Sequence, residues 1–208
     1  MNEYYFNEAI VLDREPSGEI DNRFSIYAKG FGKIVARGKS TRKITSKLSG
    51  HLEPGNLVKV RLIEKNGLQV VDTLKVSSIK CQVSDLYFLN KLLPEHDFDF
   101  ALWEELVSCI KYPRKEIKDF LRGKHVSSVK DAREGSEEDI RVDRDDLIEG
   151  QVYRNLDWRK VLKILGWDPE HGECEVCKSL KVTKFTLDGQ FFSCGNCDAN
   201  LTNFISVV

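Results

Sequence analysis

The chain has 208 residues, 41% of them hydrophobic and 31% charged, with a formal net charge of −1. That balance fits a folded globular protein with one large domain or two to three small ones, and excludes a disordered or fibrous chain. No apolar run approaches the roughly 20 residues that cross a bilayer, and MNEYYFNEAIVLDREPSGE lacks the basic-then-apolar order of a secretory signal, so the expected compartment is the cytosol.

The first 80 residues read as β. YFNEAIVLD, RFSIYAK, KIVAR, NLVKVRLIEK and LQVVDTLKV are rich in β-branched and aromatic residues, and the turn signals PSGE, GFG, EPGN and KNG separate them. In LVKVRLI, Leu57, Val58, Val60, Leu62 and Ile63 nearly alternate with Lys59 and Arg61, the pattern of a half-buried strand. Five short strands in this space predict a small barrel, the five-stranded OB-fold.

From about residue 84 the period turns helical. SDLYFLNKLL opens on a cap-like Ser84-Asp85, and FDFALWEELVSCIKY carries Phe98, Leu102, Leu106, Val107 and Ile110 at helical spacing. Pro113 suits the start of a helix over RKEIKDFL, and 131–150 reads as a solvated acidic loop. Trp158, Val161, Leu162 and Leu165 fall on one face of a further helix that Gly166 should end. The fold class expected is therefore multidomain α+β. Its parts are an OB barrel over 1–80, an α-helical domain with the acidic loop over 81–170, and a cysteine module over 171–208.

That module is the strongest local signal. Cys174-x2-Cys177 and Cys194-x2-Cys197 are two knuckles joined by KVTKFTLDGQFFSC, a hairpin with its turn at Asp188-Gly189. The spacing predicts one tetrahedral Zn2+ on the four thiolates, with no coordination position left for water, so the ion is structural. Gly195 sits where the second knuckle needs a tight turn. His171-Gly172-Glu173 mimics the H-x-E of zinc deaminases, but it abuts the first knuckle and no proline precedes either pair, so deaminase chemistry is not expected. Cys81 and Cys109 stand alone in apolar surroundings and read as core residues.

The small net charge hides a segregation. Residues 1–80 hold 14 Lys and Arg against 9 Asp and Glu, whereas residues 81–208 hold 18 against 24. The segment 22–52 has eight basic residues and no acid, while 131–149 has nine acids against three arginines. A basic run is ordinarily a solvated face, but an acid-free one on the strands and turn of an OB barrel predicts a polyanion-binding face. Lys29, Lys33, Arg37, Lys39, Arg42, Lys43 and Lys47 are the candidate DNA contacts, acting on phosphates and not on base sequence. Phe24, Tyr27 and Phe31 lie close by, and in a small barrel each belongs in the core more readily than on a stacking platform. Lys178, Lys181 and Lys184 form a smaller rival patch.

The order YYFNEAIVL…GEIDNRFSIYAKGFGKIVARGKSTRKITSKLSGHLEPGNLVKVRL resembles the N-terminal OB domain of the RecO family of bacterial recombination mediators. WRKVLKILGWDPEHGECEVC resembles the same family's LL-x-x-LG-aromatic-x-P segment leading into Cys-x2-Cys. The resemblance covers the first 80 residues and roughly 155–200. It implies a non-enzymatic protein of recombinational repair that binds single- and double-stranded DNA, anneals complementary strands and helps load recombinase. RecR is the implied main partner and single-stranded DNA-binding protein a further one, the contact for which is assigned to no residue here. The implied zinc module is structural. The chain departs from the family in its shorter helical part, in the eleven residues after Cys197 and in the acidic stretch. A different class, a zinc-ribbon assembly or transcription module with an incidental barrel, fits the cysteine spacing as well. A nuclease or nucleotide-modifying enzyme does not fit, because the sequence has no phosphate loop, compact carboxylate cluster or nucleophile elbow. Neither a membrane nor a small-molecule substrate is expected.

Overall fold

The computed structural model describes residues 2–78, 82–109, 156–197 and 203–207, all of which fall within one compact unit. Cys81, the helix expected after Pro113 and the acidic stretch lie outside the described residues.

Five strands form a closed barrel in the order β1-β2-β3-β5-β4: β1 Glu3–Ser17, β2 Asp21–Ala28, β3 Gly32–Gly38, β4 Asn56–Glu64 and β5 Leu68–Ser78. The OB-type barrel read from the sequence is present. β1 serves two neighbours, pairing antiparallel with β4 through Glu3–Ile10 and with β2 through Ala9–Ser17. Irregularities between Phe6 and Ala9 and between Val11 and Asp13 let it bend across the barrel. Closure comes from the short parallel seam of β3 with β5, Arg37 with Gln69 and Gly38 with Val70.

Alternation along the strands sends Phe24, Ile26, Ile34, Ala36, Val58, Val60 and Leu62 inward, and Leu52 of the β3–β4 connection packs into the same cluster. Ala9-Ile10-Val11-Leu12 does not alternate because both faces are covered. Ala9 and Val11 join the barrel core, whereas Ile10 and Leu12 are buried on the other side of the strand, against which helix α1 packs. Two glycines are required by close approach. A Cβ at Gly38 would lie 2.5 Å from the Phe24 ring, and one at Gly32, whose φ is +87°, would lie 2.3 Å from the Asp97 carbonyl oxygen.

α1 spans Val83–Leu92 and α2 Phe100–Ser108. The N-cap of α1 is Gln82, two residues before the expected Ser84-Asp85. Asp85 is instead the third helical residue and reaches back to the Gln82 N–H at 3.3 Å, closing a capping box. Asp99 caps α2 by accepting from the Leu102 N–H at 2.8 Å. Trp103 of α2 and Phe98 just before its cap cover the barrel, packing on Tyr27 at centroid distances of 6.1 and 5.8 Å. Tyr27 is thus buried on the outside of the barrel, its hydroxyl accepting from the Asp99 N–H at 2.9 Å, and burial pushes its pKa up to about 12.

α3 spans Trp158–Ile164, and Gly166, at φ +92°, follows it as expected. A second core joins α1, α3 and the cysteine module through Leu92, Leu162, Phe185, Phe192 and Ile205. The Trp158 indole N–H donates to the Asp85 carboxylate at 3.0 Å and ties α3 to the first turn of α1. The hairpin turning at Asp188-Gly189 is present as β6 Lys184–Thr186 and β7 Phe191–Ser193. β8, Phe204–Ser206, adds a third strand on the other edge of β6. Three residues are too short to declare a strand by pattern, and this one is held by pairing with a strand twenty residues earlier. Among the described residues no helix is long and apolar enough to cross a membrane.

Candidate functional sites: a basic connection and a sulfur cluster

The seven basic candidates fall into two groups. Four are engaged by the fold. Lys29 pairs with Glu8 and its ammonium lies 5.9 Å from the centre of the Trp103 ring. Lys33 is half-buried, its ammonium donating to the Asn90 carbonyl in the last turn of α1 at 2.8 Å, where a cation complements the helix dipole. Burial holds its pKa below the usual lysine value, against the opposite pull of Glu95. Arg37 donates through Nε to one oxygen of Asp21 at 2.8 Å, and its Nη2 lies 2.6 Å from the same oxygen as an ion pair. Arg42 donates to the Gly18 carbonyl at 2.9 Å while its side chain stays exposed.

Lys39, Lys43 and Lys47 form the second group. All three are exposed, and among the described residues their side chains make no ion pair or hydrogen bond. They stand on the connection from β3 to β4, a run of turns pinned by backbone bonds from Ser46 to Lys43 at 2.9 Å and from Arg42 to Ile20 at 2.9 Å. Ile44, between them, is fully exposed at its tip.

Two residues that shape this face are not among the sequence candidates. Asp21, one position before the acid-free segment, is only 6% exposed and accepts the Ser40 N–H at 2.7 Å besides the Arg37 guanidinium. The Ser40 N–H first, then the Arg37 charge, hold its carboxyl below the ordinary carboxylate range against the opposing effect of burial. Arg23 is exposed on β2 and directly opposite Arg37 in register, with Glu15 of β1 on its other side. Its place in the basic run is visible in the sequence, but its neighbours follow from strand pairing. Phe24 and Tyr27 are buried and Phe31 is half-buried, so the first two are core residues as expected.

Cys174, Cys177, Cys194 and Cys197 gather with all four Sγ atoms within 4.8 Å of one another. Cys177 and Cys194 approach to 3.5 Å. A tetrahedral site with metal–sulfur bonds of about 2.3 Å separates its sulfurs by about 3.8 Å, so the cluster fits one ion. Its first knuckle is closed by the Cys174 N–H on the Ser179 carbonyl at 2.8 Å and the Lys178 N–H on the Cys174 carbonyl at 2.9 Å. The left-handed backbone falls on Lys178, at φ 57°, whereas Gly195 does not take a positive φ. The Cys177 N–H above all, aided by those of Cys194 and Val176, lowers the Cys174 thiol to about 6 and favours the thiolate a metal requires. Neighbouring thiols of Cys177 and Cys194 push Cys197 up to about 12, as expected of four sulfurs sharing one space. His171 lies outside the cluster, its Nδ1 3.0 Å from the Asp168 carboxylate. Cys109 is buried, as expected of a core residue.

In the rival patch, Lys178 pairs with Glu175 at 3.5 Å and the Lys184 ammonium lies 4.0 Å from the centre of the Phe204 ring. Lys181 lines a cavity of about 450 Å³ with Arg159, Lys160 and Lys163, beside the acids Asp168 and Glu170.

Against known families, residues 1–79 match the model described as "Recombination protein O N terminal". The chain carries the N-terminal domain of the RecO family. Over 209 aligned residues, 95% of the chain and 71% of the relative, it is 25% identical to "DNA repair protein RecO" of Thermodesulfovibrio yellowstonii. Proteins of the same name from Cutibacterium acnes and Bifidobacterium longum are 36% and 37% identical over 67 residues, covering 27% and 28% of their lengths and 32% of this chain. The RecO match thus holds the barrel and the basic connection, and the longest alignment extends it towards the cysteine cluster.

Proposed function

We propose that the protein is a RecO-type recombination mediator of DNA repair, working in the bacterial cytosol by binding and not by turnover. The observation that carries this reading is the β3–β4 connection of a RecO N-terminal barrel, with Lys39, Lys43 and Lys47 exposed and unpaired among the described residues. Clustered cations of this kind attract phosphate with little regard to sequence, and Arg23, Arg37 and Arg42 widen the field on the same barrel. Lys29 and Lys33, committed to Glu8 and to the end of α1, hold the scaffold more than the ligand. A face that binds backbone and leaves bases uncovered suits a protein that brings complementary single strands together. Recombinase loading with RecR, on strands coated by single-stranded DNA-binding protein, is the role that the resemblance to the RecO family implies.

The four cysteines hold one Zn2+ in this reading. Thiolates select zinc, copper(I) or iron–sulfur clusters, and two Cys-x2-Cys knuckles on a hairpin are the arrangement of a closed structural zinc site. The ion supplies folding energy to a small three-stranded sheet and no chemistry.

The test is strand annealing. Purified protein should speed the pairing of complementary single strands without ATP, and its affinity should fall steeply with salt. Annealing no faster than the spontaneous rate, together with salt-insensitive binding, would sink the proposal.

A further inference from the structure

The barrel seam is short, and what happens beyond it creates a second site. β3 and β5 pair only at Arg37–Gln69 and Gly38–Val70. Towards its start, the edge of β3 is occupied by the segment after α1, where the His96 N–H donates to the Lys33 carbonyl at 2.8 Å. A cavity of about 210 Å³ opens here, lined by residues from both sides of the parted seam. Its floor is the buried pair Ile34 and Leu62, and its walls are the rings of Tyr4, Phe6, Phe31 and His96.

Phe31 is the centre of that wall. Its ring lies 5.4 Å from Phe6, 6.3 Å from Tyr4 and 5.2 Å from His96, which meets it edge-on at 84°. These rings are half-buried or exposed, unlike Phe24 and Tyr27, which are fully sunk in the fold. His96 holds φ at 59°, in the left-handed region that is uncommon for a non-glycine residue. At the rim stands Glu64. Its Oε2 accepts from both Asn2 Nδ2 at 2.8 Å and the Tyr4 hydroxyl at 3.3 Å, so Oε1 has no partner among the described residues.

An aromatic slot with one orienting acceptor is the chemistry that holds a flat heterocycle. The volume is below the roughly 300–1,000 Å³ of sites for drug-sized ligands and suits a single ring system. We propose that this cavity takes one unstacked nucleobase of a single strand, packed against Phe31 and presenting an exocyclic amine to Glu64 Oε1. This rests on the DNA-binding reading above. Ile34 on the cavity floor is three residues from Arg37, about 10 Å along β3, so a strand on the basic connection passes within a few nucleotides of the opening. A paired base cannot enter, so the cavity favours single strands over duplex. Glu64 repels phosphate and accepts from the amine of cytosine, which thymine lacks.

The experiment measures affinity of the full chain at neutral pH for three single strands of equal length: oligo-dC, oligo-dT and a strand of abasic units with the same phosphates. Wild type should prefer oligo-dC to the abasic strand by about 5- to 160-fold, the range of one stacked base. Phe31→Ala should erase that preference while leaving abasic binding and its salt slope unchanged, and Phe31→Trp should restore it. Glu64→Gln, at an exposed position, should remove the preference for oligo-dC over oligo-dT, and it decides the matter if Phe31→Ala does not fold. Wild type binding dC and abasic strands equally well would overturn the base site and leave the phosphate reading standing. A cavity that takes an apolar side chain of a protein partner would give that same result. Wild type binding none of the three at low salt would overturn both.

Discussion

Arg37 donates through Nε to one carboxylate oxygen of Asp21 at 2.8 Å, its Nη2 lies 2.6 Å from the same oxygen as an ion pair, and the other Asp21 oxygen holds the Ser40 N–H at 2.7 Å. One buried acid therefore fixes the end of β3 and the first turn of the basic connection together. The acid-free run is oriented by an acid just outside it. The guanidinium that looks most available for phosphate is partly neutralised and structural.

That geometry sets how charge reversal should be done. Lys39→Glu with Lys43→Glu should weaken binding to every single strand and reduce the log–log salt slope by roughly 0.7 per lost phosphate contact, with the thermal midpoint unchanged. Arg37→Glu faces Asp21 with a second carboxylate, so it should lower the midpoint as well as the affinity. Salt titrations and melting curves on both variants check this. Full affinity and slope in the Lys39/Lys43 variant, with losses in a Lys178/Lys181 variant, would move the site to the cysteine module.

Asp21 gives a pH dependence with a definite sign. Its folded pKa lies below the unfolded value of about 3.9, so the stabilisation is fully present above that value and is lost as pH falls through the folded one. Melting wild type and Asp21→Asn between pH 6 and pH 3 should show the wild-type midpoint falling more steeply. Parallel curves would remove Asp21 from this role.

The sulfur cluster predicts metal-dependent folding of one part of the chain. Cys194 is 5% exposed and lies beside β7, so Cys194→Ser should release the ion and open the module to protease. The barrel has a separate core and should stay protected. Elemental analysis should find about one zinc per wild-type chain purified without chelator, and none would end the assignment.

Leu52 tests whether the basic connection is held by the core beneath it. It is fully buried in the barrel cluster, so Leu52→Ala should cost about 2–5 kcal/mol of stability, read from denaturant unfolding. A smaller loss would mean that the connection is not anchored there.

Trp158 tests the join between helices. Trp158→Phe keeps the packing on Phe88, 6.1 Å away between ring centres, but removes the bond to Asp85 and should cost about 1 kcal/mol. An Asp85→Ala, Trp158→Phe double-mutant cycle isolates that bond.

Strand alternation and turn residues make the barrel legible in the sequence. Ile34 and Ala36 point one way and Lys33 and Arg37 the other, because a side-chain period of two leaves no choice once one face is buried. The cysteine knuckles are equally legible, since a two-residue gap places two thiolates on one side of a tight turn. Local chemistry also places the stop of α3 at Gly166. It does not place the cap of α1, where Gln82 and Asp85 bond reciprocally and Ser84 only resembles a cap.

What the linear order does not contain is which charges are spent. The stretch 22–52 is an unbroken basic run, and by composition its lysines and arginines are equivalent. Their partners arrive from elsewhere: Glu8 is 21 residues from Lys29, Asn90 is 57 from Lys33, and Asp21 is 16 from Arg37. Pairing of neighbouring strands in the closed barrel, with α1 docked on it, brings those groups within bonding distance. The same closure, parting after two residue pairs, leaves the aromatic cavity beside β3. Sequence pattern set the sign of the field and the strands that carry it. Long-range pairing decided that Lys39, Lys43 and Lys47 remain available to a ligand, because among the described residues nothing folds back to meet them.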